Sequence, residues 1–102
     1  MTRTARKYEI AQELDGAIRK LLSERLSRYG YLTADIGAGL DRDGDPVLTI
    51  DAHYRLSQLP IDPDVTFELL TDLVGLVHEH GEERFPHIRH HYHEQQKVKG
   101  FP

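Results

Sequence analysis

Cysteine and tryptophan are absent from the 102 residues, and methionine occurs once. Without cysteine there is no disulfide, no thiolate metal ligand and no cysteine nucleophile. Long apolar runs are missing too. None approaches the ~20 residues that cross a bilayer, so no membrane partner is expected. The opening Met-Thr-Arg-Thr-Ala-Arg-Lys has no apolar signal-peptide stretch behind it, and a cytoplasmic, bacterial-type protein is the expectation. Internal repeats and low-complexity tracts are also lacking.

Positive charge is scarce where the chain is longest. Residues 31–83 hold two Lys/Arg against twelve Asp/Glu. Residues 1–30 hold seven against four, and residues 84–102 hold four against one. A middle this acidic disfavours nucleic acid as a partner across the whole surface. The basic ends either fold back onto the acidic middle or meet an acidic partner; the first is the simpler account.

What is present is strong periodicity. From about Thr4 to Tyr29, Ile10, Leu14, Ala17, Ile18, Leu21, Leu22 and Leu26 recur at three- and four-residue steps. They form the apolar stripe of an amphipathic helix. Gly30 suits the left-handed position that ends it. From Tyr31 the period changes to two. Leu32, Ala34, Ile36, Ala38 and Leu40 point one way; Tyr31, Thr33, Asp35, Gly37 and Gly39 point the other. The alternation resumes with Leu48, Ile50, Ala52, Tyr54 and Leu56 opposite Val47, Thr49, Asp51, His53 and Arg55. Two half-buried strands follow, joined by a hairpin with Asp-Gly turn chemistry in Asp41-Arg42-Asp43-Gly44-Asp45-Pro46.

Register follows from parity. Apolar positions are even-numbered on both strands, so opposed residues must sum to an even number and the loop must hold an odd number of residues. Three or five residues satisfy this, with Gly44 left-handed. The three-residue loop is favoured; it sets Leu40 opposite Leu48, Ile36 opposite Ala52 and Asp35 opposite His53.

A second helix opens at Asp62-Pro63-Asp64, with Asp62 as cap, Pro63 in the first turn and Ile61 as a staple. Its body, Val65, Phe67, Leu69, Leu70, Leu73, Val74, Leu76 and Val77, is apolar over more than half its circumference and is expected to be the most buried element. His78 and His80 lie at its end and Gly81 stops it. Residues 87–93 read as a strand or a short helix. A helix starting at Pro86 lacks a capping residue, which favours the strand. The expected architecture is α+β: α-β-β-α-(β), an antiparallel hairpin packed on one face by two helices. Residues 1–93 form one domain and 94–102 a polar tail.

Candidate chemistry is limited. Asp41, Asp43 and Asp45 invite a calcium loop, but position six is Pro46 instead of glycine, position twelve is Ala52 instead of glutamate, and the flanks are strands. A hairpin turn with solvated carboxylates accounts for them better. In a helix, His87, His90, His91 and Glu94 would form a stripe able to bind Zn or Ni. In a strand, His87, Arg89, His91 and His93 share a face instead, and a solvated edge strand is the simpler account. Titration of these histidines on mild acidification is a further reading. Asp35, Asp51 and His53 gather on the open sheet face as an acid–base pair or an ordinary ion pair. Ser23, Ser27 and Ser57 lack the context of a nucleophile, so no catalytic residue is assigned. Gly37-Ala38-Gly39 precedes no helix and is not a phosphate loop.

The run Asp41-x-Asp43-Gly44-Asp45-Pro46, the apolar helix, and Gly81-Glu82-Glu83-Arg84-Phe85-Pro86 together resemble small uncharacterised bacterial proteins of about this length. Some of those stand in two-gene, toxin–antitoxin-like arrangements. The resemblance covers residues 30–93, implies a strand after Phe-Pro and brings no catalytic residue; the histidine density after Pro86 departs from it. The functional expectation is a non-enzymatic interaction module, antitoxin-like or a partner subunit, which binds a protein or itself as a homodimer. The contact face would be Thr33, Asp35, Val47, Thr49, Asp51, His53 and Arg55. The alternatives are the histidine metal site and, third, a small acid–base enzyme.

Overall fold

A computed structural model describes residues 10–55 and 60–93. Helix α1 spans Gln12–Leu26 and runs into one 3-10 turn, Ser27–Tyr29. Strand β1 spans Tyr31–Leu40, β2 Pro46–Arg55, α2 Pro63–Glu79 and β3 Phe85–His93. The architecture is α+β, and residues 87–93 are strand. The expected start of α1 near Thr4, Leu56 and the tail from Glu94 lie outside the described residues.

The sheet order is β1-β2-β3. β1 pairs antiparallel with β2, whereas β3 lies parallel to β2 on its other side. A parallel neighbour needs a crossover, and α2 supplies it. Both helices pack on one side of the sheet. Leu14, Ile18, Leu22 and Leu26 of α1 and Leu69, Leu73 and Val77 of α2 meet Ala34, Leu48, Ile50, Ala52 and Tyr54 in one core. Each helix buries its residues every fourth position, one narrow stripe. Arg19 of α1 donates to the Ala34 carbonyl at 2.7 Å, and Arg25 pairs with Asp72 of α2, which fastens α1 to its neighbours.

Capping follows the sequence. The Asp62 carboxylate accepts from the Asp64 N–H at 2.8 Å, and Pro63 stands in the first turn. At the other end Glu82 N–H reaches the Val77 carbonyl and Gly81 N–H the His78 carbonyl, with Gly81 at φ +75. This pair of bonds closes the last turn through a left-handed glycine.

Three expectations need correction. Opposed residues on β1 and β2 sum to 86, so Ile36 faces Ile50, Asp35 faces Asp51 and Leu40 faces Pro46. The loop is therefore the five-residue one, Asp41 to Asp45. Asp41 explains it: its carboxylate accepts from the Asp43 and Asp45 N–H groups at 2.9 and 2.8 Å, while its own N–H reaches the Asp45 carbonyl. Second, the pairing shifts between Tyr31 and Thr33, where Tyr31 opposes Tyr54. The bulge turns Tyr31 toward the core, edge-on to the Tyr54 ring, and leaves Leu32 exposed. Third, α2 is not the most buried element. Phe67 is 72% exposed, while β2, the central strand, buries Val47, Leu48, Ile50, Ala52 and Tyr54.

Candidate interaction face

Parity that sends Leu48, Ile50, Ala52 and Tyr54 to the helices sends the odd residues of β2 to the other side. Register carries this to both neighbours. Asp35, Gly37 and Gly39 oppose Asp51, Thr49 and Val47, and Thr33 opposes His53. Phe85, His87, Arg89, His91 and His93 oppose Val47, Thr49, Asp51, His53 and Arg55. Neither described helix packs on this face. All seven residues expected on the contact face are there. Val47 differs in one respect: it is 4% exposed, buried yet outside the helix-side core.

The face has two halves. Near the turn it is shallow and weakly polar. Gly37 and Gly39 carry no side chains, and Thr49 fills the space above them: a Cβ on Gly37 would meet Thr49 Oγ1 at 3.4 Å, and one on Gly39 Thr49 Cγ2 at 3.5 Å. Val47 and Phe85 lie beside them.

The far half is a network of carboxylates and imidazoles. Asp51 accepts two bonds from Arg89, 2.8 and 3.1 Å, and one from His91 Nε2 at 2.8 Å. Burial pulls Asp51 upward, but the hydrogen bonds from Arg89 and His91 outweigh it and hold the carboxyl below its ordinary value. Asp35 accepts from His53 Nε2 at 2.9 Å, although the two are diagonal neighbours rather than opposed. The other nitrogen, Nδ1, lies 2.9 Å from His93 Nε2. Since the Nε2 proton goes to Asp35, Nδ1 of a neutral His53 accepts from His93. The His53 ring also stacks on His91, with centroids 5.1 Å apart.

The histidine stripe expected for a helix is not formed, because a strand sends alternate residues to opposite faces. His87 and His91 lie on the open face. His90 lies on the helix side, where its Nδ1 meets the Tyr54 hydroxyl at 2.6 Å. Glu94 lies outside the described residues. Burial, and then the neighbouring His91, depress the His90 pKa; burial, and then Tyr92 and Tyr31, raise that of Tyr54. His80 is turned back on its own helix, 3.0 Å from the Leu76 carbonyl. The Asp41, Asp43 and Asp45 carboxylates come within 4.8 Å of one another, an arrangement the Asp41 turn bonds produce.

The expected contact between Asp35 and His53 is therefore made, at 2.9 Å, the geometry of an ordinary cross-strand pair. Its surroundings are open sheet. Ser23 and Ser27 belong to α1 and the turn after it, on the far side; Ser57 lies outside the described residues. Cavities of about 450 and 440 Å³ lie elsewhere, one at the end of α2 beside Val77, Arg84 and Pro86, the other between the helices at Leu21 and Leu76.

The contact-face expectation omitted Arg89, His93 and Phe85. Their arrival depends on β3 running parallel to β2. The signal was present: a 17-residue helix between two strands is the connection that a parallel pair requires. No family model, curated protein or solved structure matches the chain.

Proposed function

We propose that this chain is a non-enzymatic protein–protein interaction module whose open sheet face is covered by a second copy of itself. One observation carries the reading: among the described residues nothing covers this face, and its fixed charges balance within it. Its fixed charges are Asp35 and Asp51 against Arg55 and Arg89, which cancel while the histidines are neutral. The Asp51–Arg89 pair, satisfied inside one surface, costs less to desolvate on association than two isolated charges would. The glycine-flattened half offers close approach.

Charge placement favours self-pairing. Asp35 stands on one outer strand, with 82% of its side chain exposed; Arg89 stands on the other, with 64% exposed. A twofold axis along the strands lays β1 of one copy over β3 of the next, acid over base, and β2 over β2.

Multi-angle light scattering across a concentration series tests this. The expected mass is twice the 11.7 kDa of the chain, falling toward a single chain on dilution. A mass of one chain throughout, with no co-purifying partner, refutes it. A stoichiometric complex with the product of an adjacent gene, and no self-association, replaces the second copy by an antitoxin-like pairing.

A further inference from the structure

The same face holds a second feature, formed within a single chain. We propose that His53 and His93 form a chelating site for a late divalent transition ion with cis ligands, Cu²⁺ or Ni²⁺, with Asp35 as the positioning residue.

Two nitrogens face each other there. His53 Nδ1 and His93 Nε2 are 2.9 Å apart, on adjacent strands. In the resting pair the rings lie nearly in line and this contact is the N–H···N bond from His93 to His53, so an ion takes the place of that proton, with His93 passing to its Nδ1–H tautomer and swinging aside to lie cis to His53. Imidazole ligands favour Cu²⁺ over Ni²⁺ and Zn²⁺ by the Irving–Williams order, which sets the expected ranking.

The first ligand is held in place. Its far nitrogen, Nε2, donates to Asp35 at 2.9 Å. Carboxylates in this position fix the tautomer of metal-binding histidines and leave the other nitrogen free to coordinate. Ring stacking on His91, itself tied to Asp51 at 2.8 Å, restrains the His53 plane. The second ligand is less enclosed. His93 is exposed at the end of β3. The two rings meet nearly end to end, with centroids 5.1 Å apart, so His93 tilts to bring its lone pair onto the ion. Water fills the remaining positions. His87, on the same face, is taken up against the Phe85 ring, and His90 faces the helices, so neither is a ligand.

The test is calorimetric titration of untagged protein with Cu²⁺, Ni²⁺ and Zn²⁺ separately, in a non-chelating buffer with glycine present to suppress single-histidine binding. Electron paramagnetic resonance of the Cu²⁺ form is recorded alongside. The expected result is one Cu²⁺ per chain in a tetragonal spectrum with two imidazole nitrogens, Ni²⁺ weaker and Zn²⁺ weakest. His53→Gln and His93→Gln should each weaken Cu²⁺ at least tenfold. Asp35→Asn should weaken it about tenfold with the two-nitrogen spectrum kept. His87→Gln with His90→Gln should change nothing. Unchanged affinity in both His53→Gln and His93→Gln, or loss of binding in the His87/His90 double variant, overturns the assignment. So does saturation below 0.2 ion per chain. Far-ultraviolet circular dichroism shows that each variant is folded, and light scattering recorded with each titration separates loss of binding from covering of the face by a second copy.

Discussion

Tyr54→Phe removes a single oxygen from the core and tests how the helix side of the sheet is held together. Tyr54 is fully buried, and its hydroxyl meets His90 Nδ1 at 2.6 Å. Burial keeps the phenol protonated, so the hydroxyl donates and a neutral His90 accepts. The ring stays in the variant, stacked 4.8 Å from Tyr92, so no cavity term arises. A neutral hydrogen bond contributes about 1 kcal/mol net, and the abandoned half-buried His90 nitrogen raises the loss to about 1.5 kcal/mol. For a domain of this size that is a fall of about 6–12 °C in Tm. The pH profile should change as well. Burial and then His91 hold His90 below the ordinary imidazole value of 6.5. A base that is harder to protonate folded than unfolded gives its full stabilisation above the ordinary value. That stabilisation is lost as pH falls from there to the depressed folded value. Since the hydroxyl favours the neutral ring, Tyr54→Phe should flatten this decline. Urea unfolding at pH 7.5 and pH 5.5 measures both effects. A change under 0.3 kcal/mol at pH 7.5 with an unaltered acid decline would refute the account; Tyr92→Phe, at an exposed ring, serves as the neutral control.

Asp51→Asn should cost about 1–2 kcal/mol in urea unfolding, since it weakens charge-assisted bonds to partners that are partly exposed. A cycle with Arg89→Met should show a coupling of about 0.5–1 kcal/mol, and additive effects would contradict the observed pair. Gly44→Ala should lose about 1 kcal/mol, because Gly44 holds φ +87 with open space around it and the cost is purely one of backbone conformation. An unchanged unfolding midpoint would place the turn in another conformation.

Much of this fold is written in the chain locally. The parity of Leu48, Ile50, Ala52 and Tyr54 decides which side of the sheet meets the helices, and Asp62 and Gly81 mark the ends of α2. The errors arise where a single side chain or a distant segment decides. Parity allows loops of three and five residues equally; the Asp41 carboxylate, bonded twice to the backbone, selects five. Alternation alone cannot reveal that Leu32 is the extra residue of a bulge. Val47 reads as exposed within its own hairpin because Phe85 reaches it from the third strand, 38 positions away. Phe67 fits an apolar pattern but falls outside the stripe that α2 presents to the sheet. The site follows the same division. Asp35 and His53 are legible as one surface from parity, and they meet despite a two-residue error in register because diagonal neighbours remain within reach. His93 is not legible from parity, because its place beside His53 depends on strand direction.

Since the chain has no cysteine, one introduced thiol reports the covering of the face without competition. In the twofold arrangement β2 lies over β2, so Thr49 of one copy stands against Thr49 of the other. Thr49→Cys, treated with a short bismaleimide and run on a denaturing gel, should give a covalent dimer in high yield at micromolar concentration, because the linker spans the ~10 Å between facing sheets. Gly16→Cys, on the exposed outer side of α1, should remain a single chain under the same treatment. Cross-linking at Gly16→Cys with a free, readily alkylated Cys at position 49 would contradict the proposal that a second copy covers the odd-numbered side of the sheet.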